Sequence, residues 1–125
     1  MRHKLIVSAA TTALLLALGN PPASAADAAH GKVLFQKCAQ CHAEGASGDN
    51  VGPSLKGVFG RKAASLDDFR YSVAMRRSGI VWDEQNLKEY ISNPQAKVRG
   101  NRMPFQGFAN PSDVDDIIAY LKTYK

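Results

Sequence analysis

Two thiols and an imidazole fall within five consecutive residues, Cys38-Ala39-Gln40-Cys41-His42, and the chain has no other cysteine. At C-x-x-C-H spacing, two thiols reach neighbouring vinyl groups of a porphyrin from one turn of chain, and the adjacent histidine turns its ring to the iron. The motif therefore predicts a c-type haem attached through Cys38 and Cys41, with His42 as one axial ligand. Two plainer readings compete. A redox dithiol usually opens a helix after a strand in a βαβ unit, and no strand-like run precedes Cys38. A structural zinc ion needs four protein ligands, and after the N-terminal leader the chain offers only Cys38, Cys41, His42 and His30 as nitrogen and sulfur donors.

That leader has the parts of a secretory signal. Arg2 and Lys4 make a basic start, Leu5 to Leu18 a largely apolar run of 14 residues, and Ala23-Ser24-Ala25 a small-residue cleavage site. The expectation is a signal peptide over residues 1–25, cleaved to leave one domain over residues 26–125. A spanning helix needs about 20 apolar residues, and Gly19-Asn20-Pro21-Pro22 breaks any extension of the run. An uncleaved anchor is the alternative. Export together with haem attachment points to a bacterial periplasm, where a bare cysteine pair would otherwise oxidise.

Loss of Arg2 and Lys4 lowers the formal net charge from +5 to +3. This modest excess suits acidic partner surfaces, and no dense basic run interleaved with aromatics speaks for nucleic acid. A domain of about 100 residues buries a limited core of its own. A covalently held, largely apolar cofactor would enlarge it.

Periodicity and punctuation give an all-α chain with long loops and no internal repeat. A first helix is expected from Asp27, its cap, to Gln40, with Gly31 marking a close helix crossing. A polar loop, Glu44 to Asn50, follows, then irregular chain from Leu55 to Ala64. Ser65 or Asp67 is expected to start a helix running through Tyr71 to Arg77, with Phe69, Val73 and Ala74 inward. Gly79 to Trp82 reads as an extended connector. Asp83 caps a helix that Asn93-Pro94 ends, and Gln95 to Asn110 reads as a loop around Met103. The last helix starts near Asn110-Pro111-Ser112, with Val114, Ile117, Ile118 and Leu121 as its apolar stripe.

A second axial ligand has three candidates after the leader: Met75, Met103 and His30. Met75 sits in a helical pattern, as a core methionine would. His30 lies too close to Cys38 to reach the opposite face of a haem easily. Met103 lies 61 residues beyond His42 in a loop shaped by glycine and proline, and a thioether is on the haem ligand menu. His42/Met103 is favoured, with His/His ligation or an open site as the alternatives.

Taken in order, Gly31, Phe35, Gln36 to His42, Gly52-Pro53-Ser54-Leu55, Gly57 to Lys62, Tyr71, Gly79 to Trp82, Glu89-Tyr90, Asn93-Pro94, Gly100 to Phe105 and Ile118 to Leu121 resemble the class I cytochromes c. The closer resemblance is to the soluble bacterial c2-type and mitochondrial-like members. It implies the single-domain all-α cytochrome c fold, its helices and long loops wrapped around one covalent haem c. It also implies roles: Pro53 accepting the His42 Nδ1 proton, Arg61, Tyr71 and Trp82 holding a haem propionate, and Tyr90 lying near the Met103 sulfur. Asn101 would occupy a haem-side position where many relatives have threonine. Gly31 and Phe35 would meet Ile117 and Tyr120 where the terminal helices cross.

There are departures. Met75 falls where many mitochondrial members have asparagine, and Gln95 and Ala96 replace two lysines, leaving Lys37, Lys97, Arg99 and Arg102 as the basic rim. The implied activity is that of a monomeric, soluble periplasmic one-electron carrier and not an enzyme. It would shuttle electrons between respiratory or photosynthetic partners, such as membrane oxidoreductase complexes, oxidases or reductases with acidic docking surfaces, without stable membrane insertion. The rival reading is a haem enzyme or gas-binding cytochrome with a displaceable sixth ligand.

Overall fold

Asp27 begins the first helix as its side chain dictates: in this computed structural model, which describes residues 24–42 and 51–125, its carboxylate accepts the N–H groups of Ala29 at 2.8 Å and His30 at 3.1 Å. All but two residues of the expected leader, and the polar loop Glu44 to Asn50, lie outside the described residues. Helix α1 covers Ala28–Leu34 and α2 covers Gln36–His42. The single helix expected from Asp27 to Gln40 is therefore two. Phe35 keeps right-handed helical angles (φ −58°, ψ −20°), but its carbonyl takes the Cys38 N–H in a tighter three-residue step. Its ring is buried against Tyr120 and Tyr124, both at 5.1 Å between centroids.

The next helices are short. The stretch expected to be helical from Ser65 or Asp67 is turn-rich, and α3 spans only Val73–Arg77, where Ser72 Oγ accepts the Met75 N–H at 3.0 Å. Its buried residue is Met75, with Ala74 partly buried against the core as expected, whereas Val73 is exposed. Helix α4, Glu84–Ser92, is capped by Asp83 as anticipated. Asn93 ends α4 and also caps α5, Pro94–Lys97, by accepting the Ala96 N–H at 3.1 Å. By sequence the proline helps to end α4, and loop follows from Gln95. Instead it occupies a first-turn position, where its missing N–H costs nothing.

Helix α6, Pro111–Thr123, starts at Asn110 and buries Val114, Ile117, Ile118 and Leu121. Val114 and Ile117 are wholly shielded from solvent, and burying each such side chain is worth about 1.5–3 kcal/mol. Helices α1 and α6 cross at Gly31, where an added Cβ would overlap the Asp116 carbonyl oxygen. The crossing supplies the reason for a glycine inside a helix.

Among the described residues the only β-type pairing is a bridge between Lys62 and Val81. Around it, Trp82 N–H donates to Arg61 O at 2.9 Å and Ala63 N–H to Ile80 O at 2.8 Å. These bonds fasten the irregular chain after Leu55 to the connector before α4, so the core keeps two loop walls beside its helices. The fold is all-α and single-domain.

Candidate functional site

Helix α2 ends in His42 and carries Cys38 one turn earlier. The His42 ring is buried, and its Nδ1 lies 2.6 Å from the carbonyl oxygen of Pro53. A carbonyl can only accept, so Nδ1 carries the proton. Burial pushes the imidazole pKa below its ordinary 6.5, partly offset by that bond. The ring is thus neutral, and its Nε2 presents a lone pair, the form in which histidine binds a metal. Pro53 takes the place expected of it.

Gly52 holds the other flank of the ring. An added Cβ there would overlap the imidazole, and the Gly52 N–H donates to Cys41 O at 2.9 Å. Sequence reasoning matched Gly52 without giving it this task, although a glycine directly before the bonded proline was the available signal.

The geometry also weighs the competing readings of the cysteines. Burial raises the Cys38 thiol to about 11, with Cys41 adding to the shift. An activated redox thiol is displaced the other way. His30, a donor that the zinc reading needs, sits at the α1–α6 crossing with Nδ1 2.8 Å from Asp116 Oδ2. Among the described residues no cluster of three or more His, Cys, Asp or Glu side chains could share a metal ion. A buried neutral imidazole, two thiols not bonded to each other and a cradle that one methyl group would fill are the donor set a covalent haem requires.

The other expected residues divide into two groups. Arg61 lies within electrostatic reach of Tyr71 and is joined to Trp82 through the backbone. Its guanidinium donates to the Lys56 carbonyl at 3.0 Å and the Ser54 carbonyl at 2.8 Å. Burial raises the Tyr71 phenol, while Leu66 backbone and Arg61 pull it down. Trp82 packs on Tyr90 at 4.9 Å between centroids, and burial pushes the Tyr90 phenol to about 12.

The second group surrounds Met103, which is half-buried against the core. Its N–H donates to Asn101 Oδ1 at 2.8 Å, and Asn101 Nδ2 donates to Pro94 O at 2.9 Å and Val98 O at 2.8 Å. Met75 is buried in α3. Of the basic rim, Lys37 stands over the Phe108 ring, Lys97 pairs with Glu89 at 2.5 Å, Arg102 donates to the Arg70 carbonyl, and Arg99 is exposed.

Comparison with known proteins matches this arrangement. The cytochrome c family profile covers residues 28–125. Cytochrome c2 of Blastochloris viridis is 43% identical over 111 residues, 88% of this chain and 87% of that protein. Cytochrome c2 of Rhodoblastus acidophilus is 49% identical over 102 residues, 81% of this chain and 95% of its own length. The solved structure of cytochrome cH from Methylobacterium extorquens superposes with a TM-score of 0.72 at 47% identity, covering 78% of this chain and 98% of that one. The chain belongs to the cytochrome c family, whose single haem c is bound covalently here through Cys38 and Cys41.

Proposed function

We propose that this protein is a soluble, monomeric periplasmic one-electron carrier and not an enzyme, with His42 and Met103 as axial ligands and residues 1–25 removed on export. The observation that carries it is the buried, neutral His42, fixed by Pro53 at 2.6 Å immediately after the cysteine pair. The haem supplies reversible one-electron chemistry at iron. The residues around it set how readily the electron is held. Pro53 fixes the imidazole tautomer, and donation by Nδ1–H makes His42 a more basic ligand. Met103 would supply a thioether, which would favour the reduced state, and with His42 and Met103 both bound no position would be left for oxygen. Arg61, Tyr71 and Trp82 would meet a propionate, whose charge needs donors when taken out of water. Tyr90 would lie beside the thioether.

No helix among the described residues is long and apolar enough to cross a membrane. The relatives are themselves named cytochromes c2. A basic rim fits short-lived docking on acidic surfaces of membrane oxidoreductases.

The test is axial-ligand spectroscopy with a redox titration of the mature protein. Wild type is expected to be low-spin, with a methionine-to-ferric-iron charge-transfer band and no ready carbon monoxide binding. Met103→Ala should abolish that band and lower the midpoint by at least about 59 mV, tenfold in a one-electron equilibrium. An unchanged spectrum and potential would remove Met103 from the iron. A high-spin wild-type protein would instead favour a haem enzyme.

A further inference from the structure

The loop carrying Met103 is tied by one side chain whose hydrogen-bonding capacity is nearly used up within the loop. Asn101 is buried, with 8% of its surface exposed. A primary amide has two N–H donors. Both point at carbonyl oxygens, of Pro94 at 2.9 Å and Val98 at 2.8 Å. Its oxygen takes the Met103 N–H at 2.8 Å. The partners settle which end of the amide is nitrogen, since two carbonyls cannot donate and an N–H cannot accept.

A second amide closes the bracket from outside. Gln95 Nε2 donates to Asn101 O at 3.1 Å, and Gln95 Oε1 accepts the Gly100 N–H at 3.4 Å. Gly100 turns there with φ +88°, in the left-handed region open to glycine. Together the two amides join both ends of α5 to the backbone of Met103. No donor of Asn101 remains for a haem carboxylate.

We infer that Asn101, backed by Gln95, is a positioning residue that holds the Met103 loop closed and so sets how easily an outside ligand displaces Met103, rather than a donor to the haem propionate. The inference rests on His42/Met103 ligation as proposed above. Its physical basis is an asymmetry of cost. The Pro94 and Val98 carbonyls also accept the N–H groups of Val98 at 2.9 Å and Asn101 at 3.1 Å, so the cost of an open loop falls on the buried Asn101 amide, which must lose its partners or admit water, and each unmade bond of this kind is expensive. Met103 would leave the metal by opening of the loop, so the bracket would favour the closed, Met103-bound form over exchange. Gln95 stands where the resemblance places a partner-docking lysine, and here its side chain faces its own loop.

The experiment is an imidazole titration of the ferric holoprotein, read by loss of the methionine-to-iron band, together with hydrogen exchange of the Met103 amide. Asn101→Ala should bind imidazole at least about tenfold more tightly and exchange that amide faster, since losing one or two such bonds moves an equilibrium by about that factor. Gln95→Ala should give a smaller change in the same direction, about threefold. The dependence of midpoint potential on pH, which reports propionate ionisation, should keep its shape in both variants.

Two failures read differently. If wild type lacks the methionine band, or keeps it in Met103→Ala, the ligand assignment falls. If wild type has the band and Asn101→Ala binds imidazole within twofold of wild type, the bracket falls while the ligand assignment stands. A changed pH profile with unchanged imidazole affinity would make Asn101 a propionate donor and overturn the inference. Should Asn101→Ala yield no holoprotein, Gln95→Ala decides: affinity and amide exchange indistinguishable from wild type would overturn it.

Discussion

His42 and Met103 are held by different physics. His42 ends a helix, is buried, donates to one carbonyl at 2.6 Å and rests against a glycine that admits no side chain. Its side of the site is fixed by sterics and by the covalent thioethers. Met103 is half-buried in the irregular chain between α5 and α6, in a stretch held by hydrogen bonds from the Asn101 and Gln95 side chains. Hydrogen bonds of this kind contribute about 1 kcal/mol each, so that stretch can open without the core unfolding. One wall of the site is built as an anchor and the other as a latch.

Gly52→Ala is the harshest attack on the anchor. A methyl group there must displace the imidazole or pull residues 52–53 away from Cys41. Overpacking of this kind costs about 3 kcal/mol, and the yield of holoprotein should fall with it. The counterpart on the latch is Gly107→Ala. Gly107 has φ +100°, and its Cβ would overlap the Ser92 carbonyl, so the stretch after Met103 would lift from the end of α4. A loss of about 2–3 kcal/mol is expected there as well, but with haem attachment intact and imidazole binding tightened. Denaturant unfolding and holoprotein yield separate the two. If Gly107→Ala lost haem and Gly52→Ala kept it, anchor and latch would have to be exchanged.

The same contrast explains what could be read from the chain. The anchor is local in sequence: Cys38, Cys41 and His42 are adjacent, and Asp27, Asp83 and Asn110 cap helices by rules that act over three residues. The α1–α6 crossing was legible because Gly31 is costly in a helix unless something passes close by. The latch was not legible. Asn93-Pro94 signals both a helix end and a helix start, and only the packed chain shows that it is both. Spacing alone places Val73 inward, although a helix of five residues is too short for periodicity to fix its inner face. The bonds from Asn101 to Pro94 and Val98 span seven and three residues, where no pattern announces them.

A smaller effect separates the two walls by pH. On the anchor side, the hydrogen bond to Asp116 raises His30 above its ordinary 6.5, with Asp113 and Asp27 adding to it, and the same bond lowers Asp116 below 3.8. A raised histidine stabilises the fold fully below 6.5 and loses that contribution as pH rises through the raised value. A lowered carboxylate contributes above 3.8 and loses it as pH falls through the lowered value. The clasp between α1 and α6 is therefore strongest in the window between those two limits. Unfolding midpoints of wild type and His30→Gln should differ most between pH 3.8 and 6.5 and converge as pH rises through the raised histidine value. A gap that widened toward alkaline pH would mean the pair is not what joins the helices, whereas the imidazole affinity governed by the latch should not follow this profile.

The smallest effect concerns the charge each wall shows to a partner. Lys37 belongs to α2 on the anchor side, and Lys97, Arg99 and Arg102 belong to the latch. Lys97 is held by Glu89 at 2.5 Å, and Glu89 is lowered by that bond first and by Gln85 second. Such a pair presents little net field beyond the roughly 8 Å over which physiological salt screens exposed charge. The latch would thus steer with less than its full set of cations. Glu89→Gln would release Lys97 while leaving ligands and core untouched. Bimolecular electron transfer with an acidic redox partner should then rise about twofold at low salt and meet the wild-type rate at high salt, where steering vanishes. Lys37→Ala should lower the low-salt rate by a similar factor. A flat salt dependence in wild type and both variants would make the rim solvated surface, and a response to Lys37 alone would move docking to the anchor side.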